Sequence, residues 1–308
     1  MTNGNGVRPS IVTVGTFDGV HRGHRLVLDR LAAAARGREL RAILVTFEPH
    51  PLAVVNPQAA PRLLSVGDEK MEALASTGLD EVAVVPFTRN LAAYEAEQFV
   101  DLVLIGRFGM RELFIGHDHG FGRGRSGDVA VLERLGRLRG FGVHVVPPVD
   151  GRDGLPVSST GIRRAIAGGD LARAADGLGR PYSVAGTVRR GDARGARLGY
   201  RTINLGSPIP TKLLPPDGVY AIRAQTPGGR FGGMMNLGGR PTFGDATRTI
   251  EAHLFDIDGD WQGARVRLDF IAHLRGVRPF GSPDELIRQL ALDEAAARVI
   301  LGRNKAGL

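Results

Sequence analysis

Cysteine is absent from all 308 residues. That excludes disulfides, thiolate zinc sites and a cysteine nucleophile together. It fits a reducing compartment, and the expectation is a cytoplasmic protein. Lysine is nearly absent as well. Among 40 basic residues only Lys70, Lys212 and Lys305 are lysine, which leaves 37 arginines. None of the three precedes Ser or Thr, so a GxxxxGK[ST] phosphate loop is excluded. If the chain handles ATP, it does so on another scaffold. Aromatics make up 6% of the chain, with one tryptophan, and offer little material for a base-stacking platform. No apolar run approaches the ~18–20 residues that span a bilayer. Met1–Gly6 is polar and lacks the apolar core of a secretory signal; it reads as a frayed tail.

What is present is an ordinary globular balance, 43% hydrophobic and 23% charged. At roughly 100–200 residues per domain, the length suggests two domains. The net charge of +8 and a pI near 10.6 invite a nucleic-acid reading. Three features oppose it. The bias toward Arg, Ala and Gly over Lys resembles codon usage, not a selected basic tract. The excess is uneven, 22 basic against 20 acidic residues over 1–184 and 18 against 12 over 185–308. Much of it sits in Arg189, Arg190, Arg194, Arg197 and Arg201, opposed locally by Asp192. A short Gly-rich basic loop suits a small polyphosphate better than a long nucleic-acid track.

The first half alternates apolar runs with helical patterns. Strands are expected over Ile11–Phe17, Leu40–Phe47, Glu81–Phe87, Glu112–Gly116 and Val143–Pro147. Helices are expected over His24–Ala35, from a Ser65/Asp68 capping box to Ala75, over Glu95–Arg107 and over Asp128–Arg139. Such alternation predicts a doubly wound parallel sheet, whose ligands bind beyond the carboxyl ends of the strands. Short helices follow at Ser159–Ala167 and Leu171–Leu178. After Pro181 the texture becomes β-rich, with runs at Tyr182–Arg190, Gly218–Gln225, Phe231–Asn236, Thr249–Phe255 and Ala264–Ile271. Gly-rich turns between them predict an antiparallel barrel or sandwich. A final helix, Pro283–Leu301, begins after Ser282 as N-cap.

Three stretches could carry chemistry. In Gly15-Thr16-Phe17-Asp18-Gly19-Val20-His21-Arg22-Gly23-His24 a strand ends and a helix begins with two histidines three apart. Helix N-terminal amides favour an anion, the histidines add donors, and Gly23 gives room for a phosphate. A pair of exposed histidines or a weak metal pair is the plainer alternative. The second stretch, Phe114 to Asp128, holds a formal GxGxxG at Gly122, Gly124 and Gly127. Its distance from the strand makes it a weak dinucleotide signal. A loop that folds over a nucleotide is the better functional reading, beside a plain surface loop. The third, Ser158-Ser159-Thr160-Gly161-Ile162-Arg163-Arg164, places arginines in the first turn of a helix, where cations are disfavoured unless an anion is bound. A simple N-cap with exposed arginines is the alternative.

In this order, on a doubly wound half followed by a β-rich half, these stretches resemble the prokaryotic bifunctional riboflavin kinase/FMN adenylyltransferase (FAD synthetase) family. Thr46-Phe47-Glu48-Pro49-His50-Pro51 is similar to the family's TFEPHP segment, and Leu178-Gly179-Arg180-Pro181-Tyr182 to its module junction. The second half carries Gly191 to Asn204, Asn236 to Phe243 and Ile250 to Asp256, each similar to a kinase-module motif. The chain departs in two places. Arg201-Thr202-Ile203-Asn204 stands where the family has Pro-Thr-Ala-Asn, and Asp118-His119-Gly120-Phe121-Gly122 where it has Asp-Phe-Arg-Phe-Gly.

The resemblance implies a nucleotidyltransferase domain over residues 1–182 and a riboflavin kinase β-barrel with a C-terminal helix over 183–308. It implies ATP as co-substrate, Mg²⁺ as cofactor, and riboflavin and FMN as the other substrates. In the kinase module Glu251 would be the general base, Thr202 and Asn204 the metal ligands, and Gly191, Gly195, Gly199 and Asn236 nucleotide contacts. In the first module His21 and His24 would stabilise charge on the phosphates, with Ser159, Thr160 and Arg163 closing the other side. Gly15, Thr16, Phe17, Asp18, Gly23, Asp118, Phe121 and Gly122 would contact the nucleotide. Neither nucleic acid nor membrane is an expected partner, and association of copies is left open. Three other readings stand beside this one: an adenylyltransferase acting on another small phosphate, a flavin-binding chain with a silent kinase half, and a nucleic-acid binder using the basic barrel.

Overall fold

The computed structural model describes residues 7–190, 199–206, 210–239, 248–257, 259 and 261–303. It divides into two compact units, Met1–Ser159 and Thr160–Leu308. The first is built on a parallel sheet of β1 (Ser10–Val14), β2 (Arg41–Glu48), β3 (Glu81–Pro86), β4 (Met110–Gly116) and β5 (Gly142–Val146), in the order β3-β2-β1-β4-β5. The inner strands are near-continuous apolar runs because both faces are covered. Ile11 and Leu44 pack on one face against Leu28 and Leu31 of α1 (Arg22–Arg38). Val12, Val14, Ile43 and Val45 pack on the other, with Phe99, Leu104, Leu132 and Leu135. The chain steps outward from β1 through β2 to β3, then places β4 on the opposite flank of β1. That reversal is the point where open α/β sheets form a crevice beyond the strand ends.

The helices between the strands are α2 (Pro51–Val55), α3 (Asp68–Leu74), α4 (Arg89–Ala92), α5 (Ala96–Gln98) and α6 (Val129–Arg139). Two depart from the sequence expectation. The segment expected as one helix over Glu95–Arg107 starts as α5, set by a capping box between Glu95 and Gln98, and continues as π-helical backbone over Phe99–Ile105. The wider winding ends with the Gly106 N–H reaching the Asp101 carbonyl at 3.0 Å and leaves Phe99, Val100 and Leu104 buried. Ser65 does not cap α3. The N-cap is Gly67, and the Ser65 hydroxyl accepts instead from the Gly19 N–H at 3.0 Å. A partner 46 residues away claims this serine, a demand that local spacing does not reveal.

The helices α7 (Ser159–Ala167) and α8 (Leu171–Leu178) have the expected bounds. The strands begin after Pro181, near the expected boundary at 182/183. The compact second unit begins earlier, at Thr160, with α8 packed on a barrel strand. Six strands among the described residues close into an antiparallel barrel. They are β6 (Ser183–Arg189), β7 (Ile203–Leu205), β8 (Gly218–Thr226), β9 (Gly229–Gly239), β10 (Arg248–Leu254) and β11 (Arg265–Arg275), in the order β10-β7-β6-β11-β8-β9. The three-residue β7 is absent from the sequence expectation, being too short for a period-2 pattern to register. Tyr220 and Phe270 fill the interior, their rings edge to face at 5.2 Å. Burial pushes the Tyr220 phenol up to about 12, and its hydroxyl donates to the Pro216 carbonyl.

The last helix, α9 (Pro283–Arg303), starts where Ser282 accepts from the Glu285 N–H at 3.2 Å, as expected. Its Ala297 and Leu301 cover Ala221, Met234 and Phe255 on the barrel wall. A charged fork fixes it there. Arg275 of β11 grips the carboxylate of Asp293 at 3.0 and 2.8 Å, and Asp293 is only 4% exposed. Gln289 donates to the same carboxylate at 2.8 Å, so the buried charge is satisfied from three directions.

Candidate active sites

The turn from β1 to α1 is tightly braced. Phe17 and Val20 are non-glycine residues with φ of 46° and 41°, both buried, and Gly19 has φ 80°. Two left-handed non-glycine residues in one turn cost energy and persist only where the surroundings over-determine them. Here they do. The Asp18 carboxylate accepts from the N–H groups of Leu64 at 2.9 Å and Ser65 at 3.0 Å. Ser159 donates its hydroxyl to the Asp18 carbonyl at 2.9 Å. The Lys70 ammonium donates to the Thr16 carbonyl at 2.6 Å, and Thr46 donates to the same carbonyl at 3.3 Å. Asp18 therefore shapes the turn, with its oxygens engaged by backbone amides.

His21 is the N-cap of α1. Its Nδ1 accepts from the His24 N–H at 3.2 Å, which places the proton of the neutral ring on Nε2. The rings of His21 and His24 stack with centroids 3.6 Å apart, and Phe17 lies 4.6 Å from His24. No acidic residue occupies the first turn of α1, so the positive end of the helix is not neutralised locally. Gly23 sits beside His21, where a Cβ would come within 3.2 Å of the ring. The glycine thus serves close packing of the cap as well as room for an anion.

Asp118, Phe121 and Gly122 follow β4, on the far side of the switch point from β1. Phe121 packs against Phe99, 5.1 Å between ring centroids, and pairs its backbone with Gly127. The GxGxxG spacing has a packing cause. A Cβ on Gly122 would meet the Ala96 amide nitrogen at 2.7 Å, and one on Gly127 the Ala96 methyl at 2.8 Å. These glycines let the loop lie against α5. Thr160 and Arg163 continue on α7 in the second unit.

In the barrel the register aligns a polar row. Glu251 of β10 stands opposite Asn204 of β7 on one side and Asn236 of β9 on the other, and Asn204 stands opposite Arg189 of β6. Ile250, Ala252 and Leu254 are buried while Thr249, Glu251 and His253 are half-buried, so Glu251 belongs to the outer face of the wall. Arg248 goes to Asp217 at 2.7 Å and to the Pro215 carbonyl. Thr202 lies one residue before β7, and Gly199, with φ 82°, stands open. Arg201 is tethered through its carbonyl, which accepts from Nδ1 of His253 at 2.7 Å. Gly191 and Gly195, with Arg194 and Arg197, lie outside the described residues, as do Pro241 to Phe243 and the Met1–Gly6 tail.

Two residues of the first site escape sequence reasoning. Ser65 looks like a helix cap, and Lys70 like one of three incidental lysines. The usable signal for Lys70 is compositional: where 37 of 40 cations are arginine, a lysine marks a position with a specific demand.

A braced helix N-terminus at the switch point of the sheet and a barrel with a carboxylate between two asparagines fit one class, a two-module transferase of phosphorus-containing groups. Residues 5–161 match the FAD synthetase family and residues 178–301 the riboflavin kinase family. The chain belongs to the bifunctional riboflavin kinase/FMN adenylyltransferase family. It is 36% identical to the family member of Escherichia coli (strain K12) over 296 residues, covering 96% of this chain and 94% of that one. The Pseudomonas fluorescens member is also 36% identical, over 95% of this chain and 93% of that one. The crystal structure of a protein described as a macrolide-efflux protein from Streptococcus pneumoniae superposes with a TM-score of 0.84 at 30% identity, covering 94% of each chain. Among the described residues here, no helix is long and apolar enough to cross a membrane.

Proposed function

We propose that riboflavin is phosphorylated on the outer polar row of the barrel and that the resulting FMN is adenylylated at the β1–α1 turn. The observation that carries the first assignment is the carboxylate of Glu251 set between Asn204 and Asn236 by strand register. The ribityl hydroxyl gives its proton to Glu251 as its oxygen bonds to the γ-phosphorus of ATP and the bond to the departing ADP breaks. General base catalysis of this kind is worth ~10²–10⁴-fold. Asn204, opposite Glu251, and Thr202, one residue before β7, would supply neutral hard oxygens, donors that suit Mg²⁺, which retains waters and shares phosphate oxygens. Held there, Mg²⁺ would offset charge on the polyphosphate. Gly199, with open space where a Cβ would stand, leaves its backbone amide accessible to the phosphates.

At the turn a phosphate oxygen of FMN attacks the α-phosphorus of a second ATP, and pyrophosphate departs. His21 and His24, at an N-terminus free of acidic residues, stabilise the charge that develops on the bridging oxygens. Gly15, Thr16 and Phe17 lie against the phosphates, and Asp18 holds them there. Asp118, Phe121 and Gly122 flank the nucleotide from the β4 side. Ser159 braces the turn by donating its hydroxyl to the Asp18 carbonyl. Riboflavin, FMN and ATP are the partners; the split of charge supports no nucleic-acid track. A silent kinase half is not favoured, because residues 178–301 match the riboflavin kinase family and the register sets Asn204 and Asn236 on either side of Glu251. Incubation with riboflavin, ATP and Mg²⁺, followed by mass spectrometry over time, tests the assignment of order. FMN should rise first and FAD follow; FAD appearing with no FMN at any time contradicts release of FMN between two sites.

A further inference from the structure

Lys70 has no role in the mechanism above, yet its side chain reaches the middle of the first site. From α3 its ammonium donates to the Thr16 carbonyl and to the Thr46 hydroxyl, both at 2.6 Å. Three elements thus meet on one carbonyl: the β1–α1 turn, the end of β2, and α3. A peptide unit is planar and trans, with its C=O and N–H pointing opposite ways. Fixing the Thr16 carbonyl toward Lys70 therefore aims the Phe17 N–H away from it. Among the described residues that N–H has no hydrogen-bond acceptor, although Phe17 is only 5% exposed. Buried backbone donors are nearly always satisfied, so an aimed and unsatisfied N–H at this place calls for an acceptor from the substrate.

We propose that Lys70 is a positioning residue for adenylyl transfer, its charged ammonium holding the Thr16–Phe17 peptide so that the Phe17 N–H faces a phosphate oxygen of the nucleotide. The inference rests on the reading of this turn as the adenylylation site. The charged groups acting on the ammonium are Asp18 from the same turn and Glu48 from the end of β2; both favour its charged form. Burial outweighs them and brings Lys70 down to about 8 from 10.5. Above that pH the bonds to Thr16 and Thr46 lose their charge assistance, which roughly doubles the strength of such bonds. Misplacement of a phosphate-facing donor by about an ångström can cost on the order of 10²-fold in rate.

A stabilising brace and a positioning cation respond differently to pH, and the sign separates them. Between pH about 8 and 10.5 the unfolded chain holds the Lys70 proton and the folded chain does not. The cost of burying the charge is then fully present below pH 8 and relieved as pH rises, so the stability contributed by Lys70 increases upward through that window. Adenylylation should move the opposite way.

The test is the pH profile of kcat and KM for FAD formation from FMN and ATP, from pH 6 to 10, with riboflavin phosphorylation measured on the same preparations. Wild type should lose adenylylation kcat above pH about 8, while its unfolding midpoint rises relative to that of Lys70→Met. Lys70→Arg, which stays charged, should lack the alkaline fall. Lys70→Met should form FAD ~10–100-fold more slowly at pH 7, with kinase rates like those of wild type at every pH. A wild-type kcat flat through pH 10, a Lys70→Met rate within twofold of wild type, or an alkaline fall retained in Lys70→Arg overturns the role of Lys70. Wild type needs no substitution, so misfolding of a variant does not blunt the test. A ~10²–10³-fold loss of adenylylation in His24→Ala supports the turn as the site independently; a fully active His24→Ala overturns that parent reading instead.

Discussion

At the scale of single residues, the His21 cap and Glu251 divide the chemistry. His24 stacks on His21 at 3.6 Å in the first unit, and Glu251 stands in the barrel row. His24→Ala should lower FAD formation from FMN by ~10²–10³-fold, the usual cost of one preorganised donor to transition-state charge, and leave riboflavin phosphorylation within twofold of wild type. Glu251→Gln keeps the shape but cannot take the hydroxyl proton. It should bind riboflavin, lose ~10²–10⁴-fold in FMN formation, and convert supplied FMN to FAD normally. Initial rates with riboflavin or with FMN as the sole flavin check both. The histidines were singled out from a local pattern, a strand end followed by a helix start, and Glu251 from a stretch that resembles a kinase-module motif. Lys70 and Ser65 were not, since their partners Thr16, Thr46 and Gly19 lie 24 to 54 residues away.

Among elements, short strands and unusual helices were the hardest to read. The three residues of β7 carry no period, though Asn204 on it completes the polar row. The Phe99–Ile105 π-helical segment shows the apolar spacing of an ordinary helix, and only backbone winding distinguishes it. The glycines at 122 and 127 were read as a ligand loop, yet their contacts with Ala96 show a packing demand. The approach to Thr202 illustrates compensation. Proline at position 201 would fix φ near −65°; with arginine there, the His253 Nδ1 bond to the Arg201 carbonyl supplies a tether from β10. His253→Ala should therefore raise the Mg²⁺ concentration for half-maximal riboflavin phosphorylation. Arg201→Pro should lower it, and in the Arg201→Pro background His253→Ala should change it little. The full His253→Ala effect persisting in that background would show that the two restraints are unrelated.

The docking of α9 is a second element-scale device. Asp293 is buried under Arg275 and Gln289, and removing one partner of a buried pair typically costs about 3–5 kcal/mol. Asp293→Ala should lower the denaturant midpoint of the barrel unit accordingly. Trp261, the single tryptophan, lies 6.2 Å from Phe231 in that unit and reports its unfolding by fluorescence. An unchanged midpoint would show that the fork adds nothing beyond the apolar contacts of Ala297 and Leu301.

On the scale of the whole molecule, the sequence already showed two architectures, because strand–helix alternation and closely spaced strands with Gly-rich turns are global patterns. What it could not show was where α7 and α8 group, since their own periodicity is satisfied by either neighbour. The His21 cap and Glu251 fall in different units, and FMN is the product of one proposed step and the substrate of the other. The most direct measurement is a complementation assay. His24→Ala and Glu251→Gln chains are incubated, alone and mixed, with riboflavin, ATP and Mg²⁺, and FMN and FAD are quantified. His24→Ala alone should accumulate FMN without FAD, Glu251→Gln alone should form neither, and the mixture should form FAD. FAD formation by either chain alone, or its absence from the mixture, would contradict the division of the two reactions between the β1–α1 turn and the barrel row.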